Sequence, residues 1–422
     1  MSALPTPIRA LNAVGRAWRS AGFSPRRLDP DALMDEALRA ARKEPGLADA
    51  TLGEISEFRA GLDVVCTALE QLPELPTAGR FAARRQLLRA LRQRIRRLAW
   101  KARNPERFAM PLQPPVIVLG LPRTGTTFLH RLLAAPERAR ALPMWEVAMP
   151  FPPLHGADQR RQSGERGAAV MQRVLTDFDA KHATGSEEPE ECMHLQNEAF
   201  FSWSWLSNYP IPTYTRWLSE ADPAVAYDVW LDVLRFIQSG SPSSRLTLKS
   251  PSHLAHIEAI LDRIPQARFV WTHREPEQVV PSFASLIAST RGLSTTTQTA
   301  DPHALGRELS DFLAEQLQRG LAARARIPTG HLIDIPFDDL KRDPLATVAS
   351  IHHHFGLPWS PEVSRAVQSE VQARPRNRKG AHHYALADFG LSRGLVQELF
   401  ANYAVPASSV GPSVDGRASA KG

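Results

Sequence analysis

Eight residues, Gly120–Thr127 (GLPRTGTT), carry the densest chemistry in this 422-residue chain. They follow the β-branched run Val116–Leu119 and precede a helical pattern over 127–135. A turn between a strand and a helix aims several backbone N–H groups at one spot, and the helix N-terminus adds partial positive charge. Such a turn cradles a phosphate or sulfate. Thr124, Gly125, Thr126 and Thr127 are the expected binding residues: Gly125 permits close backbone approach, and the threonines offer hydroxyl donors. Arg123 can reach the bound anion as a fixed cation. The G-x-x-x-x-G spacing matches a nucleotide-triphosphate P-loop. However, Thr126 stands where a Lys should meet the β- and γ-phosphates, and no apolar strand ends in a well-placed magnesium carboxylate.

A second anion site is legible downstream. Arg268–Pro276 reads as a strand running into a turn, and Ser282 follows Arg274 by eight residues, early on the next helix. An Arg at a strand's carboxyl end and a Ser on the following helix can face one phosphate, giving charge-assisted bonds. Basic residues return in Arg376, Arg378 and Lys379, ahead of Gly380. The chain has 51 basic residues, and only seven are lysine. A Lys is therefore informative, and Lys249 and Lys379 both fall in motifs. Lys249 ends the strand pattern 245–248 in LTLKSP. Candidates for a general base are His253, four residues after Lys249, the acids Glu190 and Glu191, and His182. His352, His353 and His354 occupy consecutive helical positions. These diverge by about 100° each and cannot converge on one ion.

The pattern P-R-T-G-T-T-F resembles the 5′-phosphosulfate loop of sulfotransferases that use 3′-phosphoadenosine 5′-phosphosulfate (PAPS), in the Arg-bearing form of a bacterial branch. Where the cytosolic branch carries Lys, this chain has Arg123. The resemblance spans about residues 28–400. It includes Trp145-Glu146, Glu188–Cys192, Leu248–Leu254, Phe337–Leu340 with Asp343-Pro344, and the late pieces His382–Tyr384 and Asp388–Leu391. It implies that Arg274 and Ser282 hold the nucleotide's 3′-phosphate and that Arg378, Lys379 and Gly380 close over it. Arg123 and Lys249 then act as catalytic cations. His253 lies where the cytosolic branch places its catalytic His, though at a different spacing, and Glu190 and Glu191 lie in a stretch used elsewhere for an acidic base. The implied activity moves a sulfuryl group from PAPS to a hydroxyl or amine of a small-molecule acceptor. No metal is implied. The alternatives are a P-loop kinase or NTPase, and a non-catalytic nucleotide-binding protein on the same fold.

Further strand patterns at Arg245–Leu248, Arg268–Thr272 and His331–Ile335 alternate with helical ones at 251–264, 276–289, 305–325 and 343–355. That alternation predicts an α/β fold, a parallel sheet flanked by helices. Residues 1–110 read as an N-terminal helical region, 111–404 as the α/β core, 291–302 as a loop, and 405–422 as a disordered tail. Residues 80–107 hold eleven basic residues against Glu106 alone, a charge of +10 within a net +7. The remainder sums to about −3, so no nucleic-acid partner is expected. The apolar stripe Leu87, Leu88, Leu91, Ile95 and Leu98 makes this segment an amphipathic basic helix. It is expected on the surface, with peripheral membrane or anionic-partner contact as its functional reading. Seven of the 31 aromatics crowd into residues 200–217. They read either as ordinary packing or as the lining of an apolar acceptor pocket. Two cysteines, no signal-peptide pattern and no 18-residue apolar run lead to the expectation of a cytoplasmic protein without a membrane span.

Overall fold

The computed structural model describes residues 4, 6–23, 26–73, 75–174, 185–295, 301–373 and 385–407. Its centre is a five-stranded sheet formed by β1 (Val116–Gly120), β2 (Ala139–Arg140), β3 (Arg245–Lys249), β4 (Arg268–His273) and β5 (Leu332–Pro336). The spatial order is β2-β3-β1-β4-β5, and every pairing is parallel. The four longer strands lie where the β-branched runs predicted them. β2 has two residues, too few for any periodicity to show.

The apolar run of β1 has a simple cause. Ile117 and Leu119 join the large hydrophobic cluster on one face of the sheet. Val116 and Val118 join a smaller cluster on the other face, with Leu129, Leu132 and Leu133 of the helix Thr126–Ala134. A central parallel strand covered on both faces has no position left for a polar residue. The large cluster also takes in the helices Pro30–Ala41, Arg59–Glu70, Thr77–Arg103, Ala224–Ser239 and Pro302–Ala323. The N-terminal helices and one face of the sheet thus share a continuous core.

The basic helix Thr77–Arg103 departs most from expectation. Seven of its segment's basic residues bond carboxylates of the protein itself: Arg80 with Glu70, Arg84 with Glu36, Arg92 and Arg96 with Glu44, Arg94 with Glu57, Arg97 with Glu198, and Lys101 with Asp232. The Arg94 side chain is 0% exposed. Arg97 reaches Glu198 and Asp232, both at 2.9 Å. The arginine stems pack in the core while their heads meet acids from remote segments. The helix is a strut inside the fold, so the membrane or anionic-partner role expected for residues 80–107 loses most of its cations. Periodicity along the helix carries no trace of Glu36, Glu44 or Glu198.

Two smaller corrections concern the connections. The expected helix over 251–264 is a tight turn, Pro251–His256, followed by a short helix, Ile257–Leu261. The expected loop 291–302 opens as the turn Arg291–Leu293, where Arg291 donates to the Leu206 carbonyl and to Glu308. The aromatic segment is packing: Phe200, Phe201, Trp203, Trp205, Tyr209 and Tyr214 are all buried within the large cluster.

Three histidines are sealed between layers. His130 sets Nε2 against the Thr247 carbonyl at 2.8 Å, and His253 sets Nδ1 against the Tyr227 hydroxyl at 2.9 Å. Burial, then the Lys249 charge, pushes His130 down to about 3. Burial pushes His253 to about 3 and, with Arg319 nearby, His256 to about 4.

Two outcomes are expected. Glu198→Ala leaves Arg97 short of a partner in the interior and should cost about 3–5 kcal/mol, measured by urea unfolding. A loss below about 1 kcal/mol would mean that the pair adds nothing. Acid should also destabilise the protein from about pH 6.5 downward, through its buried histidines. The unfolded chain protonates these histidines near pH 6.5 while the folded chain keeps them neutral to about pH 3–4. Unfolding therefore takes up protons within that window, and stability falls as pH drops through it, by about 1.4 kcal/mol per pH unit per histidine. A urea midpoint that stays flat between pH 6.5 and 5 would contradict this.

Candidate functional site

The parallel register brings three basic side chains to the carboxyl edge of adjacent strands. Gly120 of β1 pairs with Thr272 of β4, and Val118 pairs with Lys249 of β3. Arg123 leaves β1 in the loop, Lys249 ends β3, and Arg274 follows β4. The loop starts at Gly120 with φ 135°, against a neighbour so close that an added Cβ would stand 2.4 Å from the Thr272 carbonyl oxygen. Only glycine fits. Arg123 itself has φ 67°, a left-handed conformation that costs a non-glycine residue about 1–3 kcal/mol. Such strain is stored where the surroundings fix a functional geometry.

The fixing contacts are specific. Thr124 is fully buried; its hydroxyl donates to the Leu121 carbonyl at 2.7 Å and shares a 2.6 Å bond with the Thr272 hydroxyl. Its side chain thus clamps the loop to β4. Gly125, left-handed, caps the helix Thr126–Ala134, which places the Thr126 and Thr127 N–H groups in its unpaired first turn.

The two anion motifs meet. Arg123 Nε donates to Ser282 Oγ at 3.1 Å, and Arg274 Nη1 donates to the Arg123 carbonyl at 2.9 Å. Arg274 also lies 4.4 Å over the Phe337 ring and donates to Gln278. Burial, then the Arg123 charge, pulls Arg274 below the ordinary arginine value, with Asp338 opposing. Behind it, His273 is held between Asp334 at 2.8 Å and the Tyr403 hydroxyl at 3.0 Å. His273, Asp334 and Tyr403 escaped the sequence reading as site residues, and Phe337 entered it only as part of the resemblance. His273 ends β4, where position at a strand's carboxyl end was the available signal, whereas Asp334 lies in the middle of β5.

Lys249 is fully buried, and its Nζ donates to Glu191 Oε1 at 2.5 Å. A buried lysine needs a compensating anion, and an acid of the chain itself supplies it. Glu190, also buried, accepts from the Glu191 N–H at 2.9 Å. The acidic stretch is pinned beyond β2: Met144 N donates to the Glu188 carbonyl, Glu190 N donates to that of Leu142, and Arg131 bonds Glu188 at 2.6 Å. His253 is placed differently. Its ring lies against Tyr227 and Trp230 in the helical layer. His182, Arg376, Arg378, Lys379, Gly380 and the His382–Tyr384 piece lie outside the described residues. Among the described residues, no group of three or more His, Cys, Asp or Glu could hold a metal ion, and no helix is long and apolar enough to cross a membrane. His353 and His354 are exposed while His352 is buried.

Comparison with known proteins gives the same direction. Residues 114–361 match the model of a sulfotransferase family. Among curated proteins, the chain is 26% identical over 251 residues to the omega-hydroxy-beta-dihydromenaquinone-9 sulfotransferase Stf3 of Mycobacterium bovis and of Mycobacterium tuberculosis. That match takes in 58% of this chain and 63% of theirs, so it spans less than two thirds of these relatives. Among solved structures, sulfotransferase STF1 from Mycobacterium tuberculosis H37Rv superposes with a TM-score of 0.71 at 30% identity, over 87% of this chain and 98% of that one. Sulfotransferase STF9 from Mycobacterium avium gives 0.77 at 28%, over 87% and 95%. The strand order, the glycine-started loop and a family match over more than half of the length agree: the chain belongs to the sulfotransferase family.

Proposed function

We propose that the protein transfers a sulfuryl group from PAPS to the hydroxyl of an apolar small molecule in the cytoplasm. The observation that carries this reading is the continuous link from Arg274 through the Arg123 carbonyl, and from the Arg123 guanidinium to Ser282. It joins a loop suited to a 5′-phosphosulfate with an Arg and Ser suited to a 3′-phosphate. A nucleotide triphosphate would have no use for the second half.

In this reading the Thr126 and Thr127 N–H groups and Arg123 hold the 5′ end, and Arg274 with Ser282 holds the 3′-phosphate. Arg378, Lys379 and Gly380 remain proposed as the segment that closes over it. Sulfuryl transfer forms a bond from the acceptor oxygen to sulfur as the bond from sulfur to the nucleotide's phosphate oxygen breaks. Negative charge grows on that phosphate, where Arg123 stabilises it. Lys249 supports the transferring group from the β3 end. The acceptor proton needs a base within hydrogen-bond reach. Glu191, partly exposed beside Lys249, fits better than buried Glu190, and both fit better than His253, which lies among aromatic rings. The apolar acceptor is suggested by the quinone-linked relatives. Both cysteines, Cys66 and Cys192, are free and buried, which suits a reducing compartment.

Calorimetry with adenosine 3′,5′-bisphosphate and adenosine 5′-phosphate tests the donor site. The bisphosphate should bind more tightly by about 1.5–3 kcal/mol, and Arg274→Ala should remove most of the difference. Equal affinities in the wild type would sink the assignment. Arg123→Ala should lower turnover at saturating PAPS by about a hundredfold or more, with a smaller effect on binding, as expected for a donor that acts chiefly in the transition state. Arg123→Lys should recover part of it. Turnover of Arg123→Ala within about threefold of wild type would contradict the role. Magnesium-dependent ATP hydrolysis would favour a kinase instead.

A further inference from the structure

Asp334 stands mid-strand in β5 among Leu332, Ile333 and Ile335, and Asp is a residue type that strands disfavour. The register pairs it with Trp271 of β4, so Asp334, Trp271 and His273 share one face of the sheet. On that face His273 Nε2 meets Asp334 at 2.8 Å, and Arg324 Nη1 donates to the same carboxylate at 2.8 Å. Burial raises the Asp334 pKa, but the bonds from Arg324 and His273 outweigh it and hold the carboxyl well below the usual carboxylate range. An ionised carboxylate only accepts. His273 Nε2 therefore carries a proton, and Nδ1 is turned toward the Tyr403 hydroxyl, 3.0 Å away.

Stacked rings lock this orientation. His273 lies on Trp271 at 5.5 Å with 14° between the planes, Tyr403 lies on His273 at 5.8 Å and 19°, and the Arg324 guanidinium sits 5.4 Å from the Trp271 ring. Tyr403 reaches the stack because the helix Arg393–Leu399 packs beside Pro276–Thr290: Gln397 donates to Glu277 at 3.1 Å, and Val396 and Phe400 join the large hydrophobic cluster. Burial raises the pKa of the Tyr403 hydroxyl, and a hydrogen bond from the Arg274 backbone opposes the rise. Arg274 is thus held twice. Behind it, its chain neighbour His273 and the Tyr403 hydroxyl fix its backbone. In front, Nη1 donates to the Arg123 carbonyl, Nε donates to Gln278, and the guanidinium lies over the Phe337 ring. Among the described residues nothing bonds Nη2, the donor left for a ligand oxygen.

We propose that Asp334, His273 and Tyr403 are positioning residues for the nucleotide's 3′-phosphate. They set the backbone of Arg274, which aims Nη2 at the phosphate, and so they enforce the preference for a 3′-phosphorylated nucleotide without touching it. A misplacement of about 1 Å at such a contact can cost a large factor, and a guanidinium can be held that closely only when a further layer of bonds supports it. A chain that served stability alone would be matched or bettered by apolar side chains of similar volume. The proposal rests on the assignment of Arg274 and Ser282 to the 3′-phosphate.

Calorimetry of the full chain with adenosine 3′,5′-bisphosphate and adenosine 5′-phosphate tests it, on wild type, Tyr403→Phe, Asp334→Leu and Asp334→Asn. Tyr403→Phe keeps the ring in the stack and removes only the hydroxyl. It should weaken the bisphosphate about tenfold, as for one lost hydrogen bond, and leave adenosine 5′-phosphate within about twofold. Asp334→Leu, apolar like its strand neighbours, should cost the bisphosphate at least as much with no fall in the urea midpoint. Asp334→Asn can still accept from His273 and should recover part of the loss. If Asp334→Leu does not fold, Tyr403→Phe carries the test. A wild type that prefers the bisphosphate, with Tyr403→Phe keeping that preference in full, would overturn this proposal and leave the donor site standing. Loss of both nucleotides in parallel would also overturn it, since the chain would then only hold the fold. Equal affinities in the wild type would remove the donor-site assignment and this proposal with it.

Discussion

Arg123 and Arg274 meet at the carboxyl edge of the sheet, where burial, then the charge of Arg123, depresses the pKa of Arg274. Left alone, two like cations in a half-buried site move apart. Here the bond from Arg274 to the Arg123 carbonyl keeps them together, and much of the surrounding structure holds that bond in place. The left-handed backbone at Arg123, the Thr124–Thr272 clamp, the Phe337 ring and the His273–Asp334–Tyr403 chain all fix one geometry. A site in which positive charge is already assembled needs no reorganisation when negative charge develops.

Lys249 shows the opposite treatment of a cation. It is completely buried, and an uncompensated charge there would be expensive. Glu191 neutralises it and, in doing so, brings a carboxylate to the end of β3. The acidic stretch reaches that place because β2, though only two residues long, sets Leu142 and Met144 beside Glu188 and Glu190. A minor strand thereby decides which acid stands at the end of β3.

Arginine has three roles in this chain, separated by what surrounds it. Arg123 and Arg274 meet at the carboxyl edge of the sheet, Arg94 and Arg97 are bound to internal acids, and Arg9 and Arg16 stand exposed on the helix Thr6–Ser20. The residue type is the same throughout. The differing partners set one pair together at the sheet's carboxyl edge, make one a structural strut and leave one at the surface.

The sequence by itself determined the α/β class, the four principal strands and the glycine-started loop after β1. Each rests on local chemistry: a doubly covered strand must be apolar, a phosphate turn must have glycine, and a residue's reach follows from its spacing on one element. Only the tertiary structure decided the rest. Which acid meets Lys249, whether the basic helix faces solvent or the core, and whether His253 reaches a site or an aromatic layer all depend on residues far away in the chain. Glu191 lies 58 residues from Lys249, and Glu198 lies 101 from Arg97. Helical periodicity marks the face a side chain occupies, and the packing of other elements sets what that face meets.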